Sequence, residues 1–232
     1  MTGLTLLAWG VHLLTASGAV LAVLALREIE RGGFGAASIY MLVALSIDSV
    51  DGALARRLRV GERVPRIDGR RLDDIVDYLN YAVVPAVFLL ALDALLHWSA
   101  AAAMVLSSAY GFAQRDAKTD DDFFLGWPSY WNVVALYVWL LGLSPAAATA
   151  WVALFAVAVF VPLKYVYPSR LRRFRAGTAG AGFVWVWAIA CAVWFPDVAA
   201  RIHLAGWTLA FPAWYLALSA WLGGWGRGRS AA

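Results

Sequence analysis

The chain of 232 residues is 62% hydrophobic and only 15% charged, with a mean hydropathy of +0.69 and a formal charge of +4. An ordinary soluble domain is about 45–50% apolar and about 25% charged; a water-soluble fold of this size cannot bury so much apolar surface, and disorder needs the opposite composition. The single cysteine, Cys191, excludes an internal disulfide framework, and three widely separated histidines (His12, His97 and His203) argue against a histidine zinc site.

A helix crossing the hydrocarbon core needs about 20 mostly apolar residues. In chain order such runs lie near 6–26, 34–56, 71–92, 99–114, 130–143, 146–163, 178–195 and 204–222. The expected fold is an all-α integral membrane protein of about eight transmembrane helices, forming one domain over residues 1–232. The first run has no basic residue before it and no clean small-residue cleavage site after it, so it is expected to remain as a span. Gly142, Leu143, Ser144 and Pro145 predict a tight turn that makes a hairpin of the fifth and sixth runs.

Lys and Arg collect in cytoplasmic loops and set orientation. With both termini cytoplasmic, sixteen of the nineteen basic residues fall on that side, leaving Arg27, Arg31 and Arg201 outside. Trp98, Trp127 and Trp225 lie near predicted span ends and read as interfacial anchors. The clusters Arg66, Arg70, Arg71 and Arg170, Arg172, Arg173 suit either anionic lipid headgroups or topology alone. Nucleic-acid binding is not supported, because lipid-spanning sequence interrupts the basic charge.

Carboxylates inside a membrane are costly, so their placement carries information. The second run ends in Asp48-Ser49-Val50-Asp51-Gly52-Ala53-Leu54-Ala55-Arg56, and the third opens with Gly69-Arg70-Arg71-Leu72-Asp73-Asp74-Ile75-Val76-Asp77. On helices, Asp48 and Asp51 share a face, as do Asp73 and Asp77. Consecutive antiparallel spans bring both pairs to the cytoplasmic ends of adjoining helices, where four acids converge. Such convergence calls for cations, and a hard divalent ion with oxygen ligands, Mg²⁺ or Mn²⁺, keeps open positions for phosphates. Gly52 and Ala55 give a bulky ligand access to the backbone, and Arg56 can offer its planar fork to a phosphate oxygen. Metal, clamp and clearance together suit phosphoryl transfer. By contrast the consecutive Asp120, Asp121 and Asp122 point in different directions and are expected to be solvated.

The pattern Asp48-x-x-Asp51-Gly52-x-x-Ala55-Arg56, twelve residues, then Gly69-x-x-x-Asp73-x-x-x-Asp77 resembles the signature of the CDP-alcohol phosphotransferase family. Its members are membrane enzymes that displace CMP from a CDP-linked alcohol with a second alcohol's hydroxyl. The linker between Arg56 and Gly69 is longer than in most members. That length resembles the bacterial phosphatidylcholine synthase branch, as do the segments 8–18, Gly126-Trp127-Pro128-Ser129-Tyr130-Trp131-Asn132 and Val161-Pro162-Leu163-Lys164-Tyr165-Val166-Tyr167-Pro168-Ser169. The resemblance implies that Asp48, Asp51 and Asp73 ligate metal, with two Mn²⁺ or Mg²⁺ ions expected. It implies that Asp77 ligates metal or takes the acceptor's proton. Gly52 and Ala55 would line the CDP pocket, Arg56 would hold the diphosphate, and Gly69 would allow close packing at the nucleotide. The implied setting is the bacterial inner membrane with the site facing the cytoplasm, and a homodimer by analogy.

On this reading choline attacks CDP-diacylglycerol to give phosphatidylcholine and CMP. A quaternary ammonium donates no hydrogen bond and is held by aromatic faces, for which Tyr78, Tyr81, Tyr130 and Trp131 are the candidates. Serine, inositol or glycerol phosphate are alternative acceptors. A metal- or proton-coupled transporter is the alternative from another class, although its acids would sit nearer mid-membrane.

Overall fold

The computed structural model describes residues 3–168 and 175–225. Ser169, Arg170, Arg172, Arg173, Arg227 and Arg229, all part of the sequence expectations, lie outside the described residues. In chain order the helices are α1 (Gly3–Glu30), α2 (Phe34–Arg57), α3 (Val60–Arg63), α4 (Gly69–Tyr78), α5 (Val84–Ala91), α6 (Trp98–Ala113), α7 (Trp131–Leu140), α8 (Pro145–Phe160), α9 (Arg175–Trp194), α10 (Pro196–Arg201), α11 (Leu204–Thr208) and α12 (Ala210–Leu222). A π turn, Leu79–Val83, joins α4 to α5 into one continuous helix. Pro85 has no N–H to offer the Tyr81 carbonyl, and the ladder there relaxes to the wider turn.

Among the described residues, four helices are long and apolar enough to cross a membrane: Gly3–Glu30, Phe34–Arg57, Gly69–Ala91 and Gly177–Trp194. These match the first, second, third and seventh apolar runs. The other runs fold differently. α6 and α8 have 16 residues each and α7 has 10, or about 24 Å and about 15 Å of rise against a hydrocarbon core of about 30 Å. The last run is divided between α11 and α12 by a break at Leu209. The predicted turn after α7 forms, with Gly142 at φ +60 and the Ser144 hydroxyl capping α8. Beyond that turn α8 packs chiefly on α6.

An antiparallel ribbon adds β structure to a fold expected to be all-helical. β1 (Phe123–Leu125) pairs with β2 (Lys164–Val166), with Phe124 opposite Tyr165. The Lys164 ammonium meets Asp121 at 2.6 Å, so the central acid of the expected solvated run anchors this ribbon. Trp127 also departs from expectation: it is buried, stacked on Phe155 at 4.5 Å and edge-on to Trp131, whereas Trp98 stays exposed. The segment Gly126–Trp127 turns inward because its amides bond the carbonyls of Leu163 and Ala158.

α1 forms the wall shared by α2, α3, α4 and α5. Close approach depends on Gly18, where an added Cβ would stand 2.6 Å from Val76 Cγ1 on α4.

Candidate active site

The last turns of α2 and the middle and last turns of α4 carry the acids, and both helices lean on α1. Asp68 fixes where α4 begins: its carboxylate accepts from the amides of Arg70 and Arg71, capping the helix just before Gly69. With the start pinned, Asp73 and Asp77 fall one turn apart on the face turned toward α2.

Carboxylate oxygens of Asp48, Asp73 and Asp77 lie within 4.8 Å of one another. Three oxygen donors at this spacing, on two rigid helices, suit a hard divalent cation, so these residues could hold a metal. Asp51 lines the same small cavity, together with Thr15 and Gly18 of α1 and Asn80 and Tyr81 of the π turn. It is more buried than the other three, at 4% exposed, and accepts a 2.6 Å hydrogen bond from the Thr15 hydroxyl. Of the four acids expected to converge, three meet within reach of one ion and Asp51 stands beside them, oriented by α1.

Other side chains hold this arrangement. The Asn80 amide donates to the carbonyls of Gly18 and Val76, at 3.0 Å each, locking the π turn to α1. The Tyr81 hydroxyl donates to Asp48 Oδ2 at 2.7 Å. Lys118, from the loop after α6, brings its ammonium 3.8 Å from Asp73 and 3.4 Å from Asp74. Burial opposes its charge, but the electrostatic influence of Tyr167 and of the Asp74 and Asp73 carboxylates outweighs it and holds its pKa above the usual lysine value. Sequence reading assigned no role to Thr15, Asn80 or Lys118. Thr15 stands out only as a polar residue on the same helical face as His12 and Gly18. Lys118 stands out only as the one lysine beside an acid-rich loop.

Arg56 lies back over Gly52, with Nη1 3.3 Å from where a Cβ there would stand. Ala55 packs under the linker cluster of Val60 and Val64. A Cβ on Gly69 would stand 3.3 Å from His12 Cε1, so its absence lets α4 close on α1. The aromatic candidates divide. Tyr81 is at the acids, and Tyr130 lies 6.1 Å from it, ring to ring, with Tyr215 5.8 Å further on. Tyr78 turns to α6, donating to the Val105 carbonyl at 3.2 Å. Trp131 is fully buried, with its indole N–H donating to Ser108 at 2.7 Å.

This assembly of acids and small residues, with the Arg56 guanidinium beside it, could support metal-assisted chemistry on phosphate groups. The CDP-alcohol phosphatidyltransferase family model matches residues 7–164, which include every acid of the cluster. The chain is 45% identical over 168 residues to the phosphatidylcholine synthase of Legionella pneumophila, covering 71% of this chain and 66% of that protein, just under two thirds of its length. It is 37% identical over 182 residues to the phosphatidylcholine synthase of Pseudomonas aeruginosa, covering 77% of this chain and 76% of that one. The corresponding protein of Borreliella burgdorferi is 34% identical over 173 residues, covering 73% and 74%. With the family model spanning most of its length and relatives of this similarity, the chain belongs to the CDP-alcohol phosphatidyltransferase family.

Proposed function

We propose that this protein is a phosphatidylcholine synthase that transfers the phosphatidyl group of CDP-diacylglycerol to choline and releases CMP. The observation that carries the reading is the meeting of Asp48, Asp73 and Asp77 in a chain that matches the family. The names of the relatives support choline as the acceptor.

Asp48, Asp51, Asp73 and Asp77 are the proposed ligands of two divalent ions, Mn²⁺ or Mg²⁺. Bound there, such ions would supply charge neutralisation and polarise the phosphoryl oxygens. The diphosphate lies against Arg56, Gly52 and Ala55 line the nucleotide pocket, and Gly69 lets α4 pack close to it. The choline hydroxyl oxygen forms a bond to the phosphorus that carries diacylglycerol, and the bond from that phosphorus to the bridging oxygen of CMP breaks. Asp77 takes the hydroxyl proton as the bond forms, because a carboxylate is too weak a base to generate a free alkoxide first. Tyr81 and Tyr130 are the aromatic faces best situated for the trimethylammonium group; Tyr78 and Trp131 already serve contacts elsewhere.

The proposed setting is the bacterial inner membrane, with eight membrane segments, both termini and the site on the cytoplasmic side, a homodimer, and no nucleic-acid partner. The shorter helices α6, α7 and α8 would cross where the bilayer thins around them.

Membranes carrying the expressed chain, supplied with CDP-diacylglycerol, Mn²⁺ and radiolabelled choline, should form labelled phosphatidylcholine and an equal amount of CMP. CMP release only with serine, inositol or glycerol phosphate would reassign the acceptor. No CMP release with any alcohol would overturn the enzyme reading.

A further inference from the structure

Among the described residues, one buried side-chain nitrogen or oxygen makes no hydrogen bond: Nε2 of His12. The residue is 7% exposed, and its ring is held edge-on by Trp9 at 6.2 Å. An imidazole nitrogen without a partner in such a place is unfavourable, so something other than stability accounts for its presence.

Its neighbourhood suggests what. Thr15, one turn further along α1, donates to Asp51. Gly69, against which the His12 ring lies, is one turn before Asp73 on α4. His12 therefore stands one helical turn beyond the carboxylates, level with Ala55 and Gly69 and toward the ends that carry Arg56, Arg57, Arg70 and Arg71. Ala8 and Val11 flank it on α1, covered by Val60 and Val64 of the linker. A CDP-lipid with its diphosphate at the acids has two ends of opposite polarity. Its acyl chains must run along the apolar part of the helices, so its nucleoside must point the other way, to the side of the carboxylates where His12 stands.

We infer that His12 is a nucleotide-binding residue, its Nε2 hydrogen-bonding the cytidine nucleotide beside Gly69. This rests on the phosphatidyl-transfer reading and adds a polar contact on α1 to the groups of α2 and α4. It also gives Gly69 a physical role, since a side chain there would press on the imidazole.

The test is calorimetric titration of CMP, with Mn²⁺ present, into the purified full chain in detergent. His12→Ala is expected to weaken CMP binding by about tenfold or more. Its affinity for Mn²⁺ alone and its melting temperature without nucleotide should match the parent's. His12→Asn, which keeps a hydrogen-bonding group, should recover part of the loss. In turnover the KM for CDP-diacylglycerol should rise in His12→Ala while that for choline holds. Equal CMP affinity in parent and His12→Ala overturns the assignment, as does a loss of Mn²⁺ binding that matches the loss of CMP. A parent chain that fails to bind CMP at all overturns the transferase reading and this inference with it.

Discussion

The hydroxyl of Tyr81 donates to Oδ2 of Asp48 at 2.7 Å, tying the π turn of the third span to the acid of the second. A hydrogen bond to a ligating carboxylate fixes its orientation, and loss of such partners typically costs about 10–100-fold in metal affinity or activity. Tyr81→Phe should therefore raise the Mn²⁺ concentration needed for half-maximal transfer by about tenfold. The KM for choline should change little, because the aromatic face remains, whereas Tyr81→Ala should raise both. A metal titration of initial rates distinguishes the two effects.

Asp77 is the proposed base. Asp77→Asn should lower turnover by about 10²–10⁴-fold while CDP-diacylglycerol still binds. Chelation should abolish activity in the parent chain, and added Mn²⁺ or Mg²⁺ should restore it. Normal turnover by Asp77→Asn would remove Asp77 from the proton transfer.

Lys118 places a positive charge 3.8 Å from Asp73. A cation bound at the carboxylates is repelled by this ammonium, so Lys118→Gln should tighten Mn²⁺ binding by about tenfold, with the difference shrinking as salt is added. Unchanged or weaker Mn²⁺ binding at low salt would show that Lys118 does not compete with the metal.

Gly126 has φ +82, and an added Cβ would collide with the Val159 carbonyl oxygen. Both the left-handed backbone and the contact oppose a side chain, so Gly126→Ala should destabilise the fold by about 2–4 kcal/mol. The thermal midpoint in detergent reads this directly. The Gly126–Trp127 turn carries the chain into Tyr130, so the KM for choline should rise in the same variant.

The Asp121 carboxyl is held below the usual carboxylate range by hydrogen bonds from Lys164 and from the Thr119 hydroxyl. A depressed folded-state pKa means that the stabilisation is complete above the unfolded value of about 3.9 and is lost as pH falls through the lower folded value. Asp121→Asn should lose about 0.2–1 kcal/mol near neutral pH and almost nothing in strong acid. Melting curves of both chains across pH should converge on the acid side.

Much of this site is legible in the order of residues, because helix geometry converts spacing into direction. Asp48 with Asp51, and Asp73 with Asp77, must share faces on any α-helix. Long unbroken apolar runs likewise dictate membrane-spanning helices, since within a single segment only a helix satisfies the backbone in lipid. The length of each run is less decisive. The run at 130–143 contains only the 10-residue α7, because its ends are drawn into a turn and into the buried edge-on pair of Trp127 and Trp131.

Tertiary packing decided the rest. That Asp48, Asp73 and Asp77 meet while Asp51 turns to Thr15 depends on how far α4 slides along α1, and Gly18 sets that depth by letting Val76 approach. The pairing of Phe123–Leu125 with Lys164–Val166 joins segments about forty residues apart in sequence, and nothing local in either three-residue strand announces its partner. Tyr78 and Tyr81 lie within one turn of each other, yet only Tyr81 reaches the acids, because Tyr78 is turned to α6. Periodicity fixes the direction of a side chain on its own helix; what it faces is fixed by the depth and rotation at which helices pack, and those come from side chains distant in the sequence.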